Sequence, residues 1–354
     1  MNYTIAAPAN AAEVKDDLLR LMRSNFSWGA DAEKWHHWGY EQSPFPANVC
    51  WMVETEAGER VGFTSLMPRR MKVGKHVCEA GQAANLNVSA EHRNALAAIK
   101  LQRAVVSHVD QSEMPLAFGI TRNAVAVLCR AGYRDLGGMS RWIKLFRTEH
   151  KLARWIPSRW PRRAVASVVD LGLRLRAAET FRRLPRGWQV LFDPPFDARF
   201  DDLWQAAATN FSVATERSSE YLRWRFGDDP QLEYRTLAVQ DAQGQIRGAA
   251  IYLFPEPGES QPLGGIVDLL PVDAQAADVL LAELCRHLRS QGAVGVQMMY
   301  FGSPLIETAL QQCNFLRRES EFHLLAYLHP RLRDCPSDLL ESSHWHMTDA
   351  EAKF

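Results

Sequence analysis

The sequence predicts an α/β protein made of two copies of one mixed unit, and three observations carry that expectation. First, 354 residues with 47% apolar side chains are enough for two domains, each with its own core. Second, a match recurs at an offset of 186 positions: Trp38 with Trp224, Pro44 with Pro230, Val53 with Val239, Gly58 with Gly244 and Gly62 with Gly248. Trp35 and Tyr40 face Tyr221 and Phe226 in the same frame. Third, both halves run through the same order: an aromatic helix, a proline stop, a strand, and a Gly-bearing turn into a second strand. Two ordinary hairpins would share much of that text, because glycine is the usual residue where φ must be positive.

Each element follows from local pattern. In the first half, residues 11–23 and 31–41 have helical periodicity, and strands are expected near 49–55 and 60–71, joined by Glu56-Ala57-Gly58-Glu59. A third strand near 78–88 leads to a helix from about Arg93 that places Ala97, Leu101, Ala104, Val105 and His108 on one face. A short strand at 115–120 precedes a helix at 122–131, which Gly132 suits as a left-handed stop. The strand Arg-Trp-Ile-Lys-Leu-Phe then closes the unit. The second half repeats the order: helices near 198–209 and 217–226, strands near 234–240, 246–254 and 264–270, and a helix at 274–291. A strand Gly-Val-Gln-Met-Met-Tyr-Phe, a helix from 304 to 312 and a strand Phe-His-Leu-Leu-Ala-Tyr-Leu complete it, and 255–265 is a long hairpin connection. The expected boundaries are 1–150 for the first domain, 151–187 for a linker and 188–354 for the second.

Charge narrows the function classes. There are 41 Lys+Arg and 41 Asp+Glu, and this balance argues against a broad nucleic-acid footprint. The linker departs from that balance: residues 151–186 carry ten Lys/Arg against Asp170 and Glu179, so the rest of the chain sums to −8. Apolar residues interleave with the cations there. The linker is expected either to pack across both domains with a solvated basic face or to lie on an anionic membrane surface. No apolar run is long enough to span a bilayer, and the N-terminus lacks the basic start of a signal peptide. Six scattered cysteines without a C-x-x-C pair fit reduced thiols in the cytoplasm. The expected location is therefore cytoplasmic, with a peripheral place on the inner face of the membrane as the alternative.

The order strand–strand–strand, helix, strand–helix–strand resembles the GNAT superfamily of acyl-CoA N-acyltransferases. Residues 88–106 (VSAEHRNALAAIKLQRAVV) look like its third long strand meeting the pyrophosphate-binding helix, and 118–142 resemble the strand and helix that end in Gly-aromatic, here Gly132-Tyr133. Residues 220–254 and 344–351 are similar to a bacterial subgroup of tandem GNAT proteins associated with cell-surface polysaccharide assembly. The resemblance implies two tandem domains, each a mixed, mostly antiparallel twisted sheet flanked by helices. It also implies transfer of an acyl group, acetyl first, from acetyl-CoA or another acyl-CoA as co-substrate to an amine or hydroxyl of a sugar or glycan precursor.

The family's phosphate loop falls on Arg93-Asn94-Ala95-Leu96-Ala97-Ala98, where Arg93 and Ala98 fit and Leu96 replaces the central glycine. In the second half, 271–281 has neither the Arg nor a Gly, and Asp273 and Asp278 would repel a pyrophosphate. Acyl-CoA is therefore expected in the first half. The same spacing puts Gln82 at the usual base position and Leu86 and Val88 near the oxyanion donor. Gln82 is no base, so Glu79 is the nearest carboxylate; His36 and His37, on the aromatic helix, are the candidate substitutes for the family's tyrosine acid. The family's tyrosine acid falls on Leu128 and Leu310, which donate no proton.

Other residues carry a bland reading beside a functional one. Trp28, Trp35, Trp38 and Trp51 offer flat faces for a sugar or belong to the core. His344 and His346 have metal-ligand spacing but no third ligand in reach, so a tail that packs Trp345 is expected. Asp268 faces the second cleft or the linker's arginines. Two other functions stay open: a non-catalytic binding or scaffold protein with degenerate sites, and a peptidoglycan-type aminoacyltransferase using aminoacyl-tRNA.

Overall fold

The computed structural model describes residues 2–26, 29–255, 263–332 and 337–352. Trp28, most of the 255–265 connection and Cys335 lie outside them. The first half runs β1 (Tyr3–Ile5), β2 (Ala9–Asn10), α1 (Lys15–Asn25), α2 (Ala32–His36), β3 (Val49–Thr55), β4 (Arg60–Val73), β5 (His76–Val88), α3 (Ala95–Gln111), β6 (Leu116–Thr121), α4 (Val125–Ala131) and β7 (Arg134–Leu145). Helices α5 (Glu149–Leu152), α6 (Arg159–Leu175) and α7 (Ala178–Phe181) connect the halves. The second half runs β8 (Gln189–Phe192), α8 (Ala198–Ala207), β9 (Val213–Thr215), α9 (Ser219–Leu222), β10 (Arg235–Gln240), β11 (Ile246–Leu253), β12 (Leu263–Pro271), α10 (Ala274–Ser290), β13 (Gly295–Gly302), α11 (Pro304–Gln312), β14 (Leu316–Leu328), β15 (Trp345–Thr348) and α12 (Asp349–Ala352).

Local chemistry explains most boundaries. Helix α3 buries Ala97, Leu101, Val105 and Val109, one residue per turn, against the sheet. Helix α4 ends where Gly132 takes φ +118° and its N–H returns to the Leu128 carbonyl. The aromatic helices each finish in one π-helical turn, His37–Glu41 and Arg223–Gly227, which are 186 positions apart.

The same offset recurs in the backbone. Val53 pairs with Gly62 and Val239 with Gly248, and both ladders slip at the next residue. Both hairpins turn on a left-handed glycine, Gly58 at φ +78° and Gly244 at φ +82°. Trp38 and Trp224 stack with ring centroids 5.3 Å apart. Each indole N–H donates to the other's backbone carbonyl, at 2.7 Å from Trp38 and 3.0 Å from Trp224.

The strand order is β1-β3-β4-β5-β6-β14-β7-β13-β12-β11-β10-β8 in one sheet. Here the structure departs from the expectation that each half closes its own sheet. Strand β14 lies between β6 and β7, and β7 lies between β14 and β13. Each half therefore receives its last strand from the other. The exchange covers edges of β6 and β13 that would otherwise expose unpaired backbone groups mid-molecule. Pattern reading also missed the short strands β1, β2, β8, β9 and β15, which contain too few residues to show alternation.

Within the linker, α7 packs between the halves, with Ala177 and Glu179 buried and Glu179 paired to Lys144 and Arg289, whereas α6 is turned outward. Of helix α6, only Ala166 is buried and Leu173 is half-buried, while Trp160, Val165, Val168, Val169, Leu171 and Leu175 are exposed. Among the described residues, no helix is long and apolar enough to cross a membrane.

Candidate functional site

Strands β5 and β6 run parallel and pair only at Gly81–Ala117 and Gln82–Phe118. They then part. The cause is a bulge: β4 advances two residues from Phe63 to Ser65 while β5 uses three, from Asn87 to Ala84. Asn85 absorbs the extra residue at φ +57°, a conformation asparagine tolerates better than most side chains. Its amide donates to the Tyr40 hydroxyl at 3.1 Å, and that hydroxyl also meets Ser65 Oγ. Burial holds the Tyr40 phenol well above its ordinary pKa, so it keeps its proton.

The opening is a cavity of about 370 Å³ lined by Ala83–Leu86 of β5, Gly119–Asn123 at the end of β6, and Phe26, Gln102, Ala124, Leu128 and Phe322. No described strand fills the gap between its two lips. Gln102 projects from α3 with 1% of its surface exposed. Its Nε2 donates to Thr64 Oγ1 at 2.9 Å, and Thr64 donates on to the Ala84 carbonyl at 3.3 Å. The Gln102 Oε1 acceptor has no hydrogen-bond partner. A buried orphan acceptor is unfavourable by about 1–3 kcal/mol, which a ligand N–H would relieve.

At the N-terminus of α3, Asn94 Oδ1 accepts the Ala97 N–H at 3.1 Å, and Arg93 donates to Asn25 Oδ1 at 3.1 Å. Leu96 stands 48% exposed beside them. An anion here would meet Arg93 and the first amides of the helix, because Asn94 already occupies the Ala97 N–H.

The second half repeats the bulge and then closes the opening. Strand β12 slips against β11 between Asp268 and Ile266, and pairs with β13 from Leu263–Gly295 to Ile266–Met298. Past that point β13 takes β15 as its neighbour, with Tyr300 opposite Thr348 and Gly302 opposite His346. The chain's own C-terminal segment occupies this gap. Asp268 faces neither a cleft nor the linker: it accepts from Arg217 Nε at 2.6 Å and from the Thr348 hydroxyl at 3.0 Å. Arg217 also pairs with Glu351 at 2.5 Å. Burial alone would raise the Asp268 pKa, but Arg217 outweighs it and the carboxyl lies far below its ordinary value. Helix α10 is capped by Asp273, which accepts the Ala276 N–H at 2.8 Å and pairs with Arg247 at 2.8 Å.

The residues singled out from sequence scatter around the first opening. Leu86 lines it, while Val88 lies two residues further along β5, buried in the core on the α3 side. Arg93, Asn94, Ala95, Leu96, Ala97 and Ala98 form the start of α3 and the residues before it. Gln82 is buried, accepts from Arg69 Nε at 2.9 Å and donates to the Glu351 carbonyl at 2.8 Å. Glu79 is exposed, on the side of the β5–β6 pairing away from the opening. His37 is exposed and meets Glu41 at 2.7 Å; Lys15 and His37 together hold that carboxyl at about 2. Trp35, Trp38 and Trp51 are core residues with no face to offer a sugar. Trp345 is buried, its indole donating to the Leu339 carbonyl at 3.0 Å, and His346 stacks on Phe211.

Sequence reasoning missed Asn85, Gln102 and Tyr40. Signals existed: asparagine is unusual inside a strand, and a glutamine next to the apolar stripe of α3 is a polar group on its way into the core.

No protein-family model matches the chain, and no curated protein matches it. Solved structures do. A GCN5-related N-acetyltransferase from Anabaena variabilis superposes with a TM-score of 0.64 at 13% identity, covering 92% of this chain and 73% of that one. A probable N-acyltransferase from Enterococcus faecalis gives 0.62 at 11% identity, covering 93% and 72%. The fold is GNAT-like. Saccharomyces cerevisiae N-myristoyltransferase, solved with bound myristoyl-CoA, gives 0.55 at 11% identity and covers 99% of this chain and 83% of that one.

Proposed function

We propose that the protein is an acyltransferase of two GNAT-like units that takes acyl-CoA in the first unit alone. The observation that carries this is the contrast between the two openings: no described strand fills the β5–β6 gap, whereas β15 fills its counterpart. The matching π-turns, hairpins and reciprocal tryptophans support descent of both halves from one unit.

The lips of the first opening suit an extended thioester arm, which pairs with strand backbone as an added strand does. Gln102 Oε1 accepts an amide N–H of that arm, and Arg93 with the first turn of α3 takes the phosphates. A backbone N–H at the Ala84–Leu86 bulge polarises the thioester carbonyl and stabilises the oxyanion that forms when an acceptor nitrogen or oxygen attacks. The carbon–sulfur bond then breaks and the thiolate takes a proton. The described residues lining the opening include neither a carboxylate nor an imidazole. The acceptor's proton therefore passes to water, and the rate rises with pH through the acceptor's own pKa rather than through a protein base. An amino sugar or glycan precursor is the proposed acceptor, on the subgroup resemblance of 220–254 and 344–351.

A second reading is a binding protein that keeps the cleft without turnover, favoured by Leu128 on the lining. Titration with acetyl-CoA and longer acyl-CoAs, read as a shift in melting temperature, tests both. Saturable stabilisation with thiol release in the presence of amino sugars supports the transferase. Stabilisation without release for any amine or hydroxyl acceptor supports the binding protein. No response to any thioester overturns both.

A further inference from the structure

Helix α6 is mounted the wrong way round for a solvated linker. At about 100° per residue, Trp160, Leu171, Ala164, Leu175, Val168 and Val165 form a continuous stripe about 140° wide. That stripe points to solvent: Trp160 is 84% exposed, Val168 73% and Leu175 63%. The helix touches the protein through the opposite side, where Ala166 is buried and Asp170 accepts the backbone N–H and hydroxyl of Thr148, both at 2.8 Å. An exposed apolar stripe of this size on a water-soluble surface marks a contact with something else.

The charges around it identify the partner. Arg163 and Arg174 flank the stripe on one side and Arg176 on the other, while Arg162 turns toward the protein and shares Glu149 with Arg163, at 3.8 and 3.5 Å. Trp155, with Arg154 stacked on its ring at 5.8 Å, and Phe181 extend the exposed apolar surface beyond the two ends of the helix. Next to Leu171 and Arg174 lies a cavity of about 770 Å³ whose cations are Arg147, Arg174, Arg286 and Arg289. Its acids are Asp170, held by Thr148, and Glu179, paired with Lys144 and Arg289. A convex apolar ridge with arginines on both flanks and tryptophans at one end matches the boundary of an anionic bilayer. Acyl chains take the ridge there, and phosphates take the guanidinium groups.

We infer that α6 docks the protein, in the plane of the surface, on an anionic phospholipid membrane. The inference stands apart from the proposed chemistry. Co-sedimentation of the full chain with vesicles tests it. The expected result is binding to equimolar phosphatidylglycerol and phosphatidylcholine but not to phosphatidylcholine alone, weakened by added salt. Val168→Asp/Leu171→Asp and Arg174→Glu/Arg176→Glu should each weaken binding roughly tenfold or more with an unchanged melting temperature. Should a variant fail to fold, the salt and lipid dependence of the unaltered protein still decides. Absence of vesicle binding, or equal binding to both lipids, overturns the inference. So does a dimer without lipid that Val168→Asp/Leu171→Asp dissociates, which would give the stripe to a second copy of the chain.

Discussion

Gln102 lines the opening and Arg93 stands outside its lining, just before α3, so their substitutions separate the two proposed contacts of acyl-CoA. Gln102→Leu removes the orphan acceptor and the bond to Thr64, so stability should change by about 1 kcal/mol or less. Acyl-CoA affinity should fall roughly 5–30-fold, by calorimetric titration. Arg93→Glu reverses the charge met by the phosphates and should abolish the thermal response, whereas Asp273→Arg in the second half should leave it intact. Asp268 belongs to stability instead. Its folded pKa lies below the ordinary 3.8, so its contribution is present above that value and is lost as pH falls through the folded one. Asp268→Asn, which leaves Arg217 half-paired, should destabilise by about 3–5 kcal/mol at neutral pH, with the gap to wild type closing in acid denaturation below pH 3.8.

Strand β15 decides which unit is open. Trp345 anchors it, fully buried with its indole N–H satisfied, so Trp345→Ala should destabilise by about 3–5 kcal/mol in chemical denaturation. If that strand is only a plug, the variant gains no acyl-CoA affinity, since Asp273 still caps and repels at the start of α10. At this scale the sequence was informative where elements are long. The strands β3, β4 and β5, helix α3 and their second-half counterparts carry periodicity over many residues, and Gly58, Gly132 and Gly244 mark their turns. It was silent on β9 and β15, whose three and four residues pair only because distant strands come to them. The bulge at Asn85 was half-legible: an asparagine in a strand hints at irregularity, but only its pairing with β4 shows that β5 gains a residue. The orphan on Gln102 is a tertiary fact without a local signature.

Across the whole molecule, the exchange of β7 and β14 ties the halves together. Neither half has a complete sheet alone, and the offset of 186 could not reveal this because each strand looks local in sequence. Calorimetry should therefore show one cooperative transition with matching calorimetric and van't Hoff enthalpies, whereas two separate transitions would mean autonomous domains. The central claim, one working cleft in the first half, is tested most directly by Gly119→Val. A Cβ at Gly119 meets Ala83 O at 3.4 Å and Leu128 Cδ2 at 3.6 Å, so a valine fits β6 while its methyls enter the opening. Isothermal titration of this variant with acetyl-CoA is the measurement. Wild type should bind saturably and a folded Gly119→Val protein not at all; undiminished binding by that variant would place acyl-CoA outside this opening.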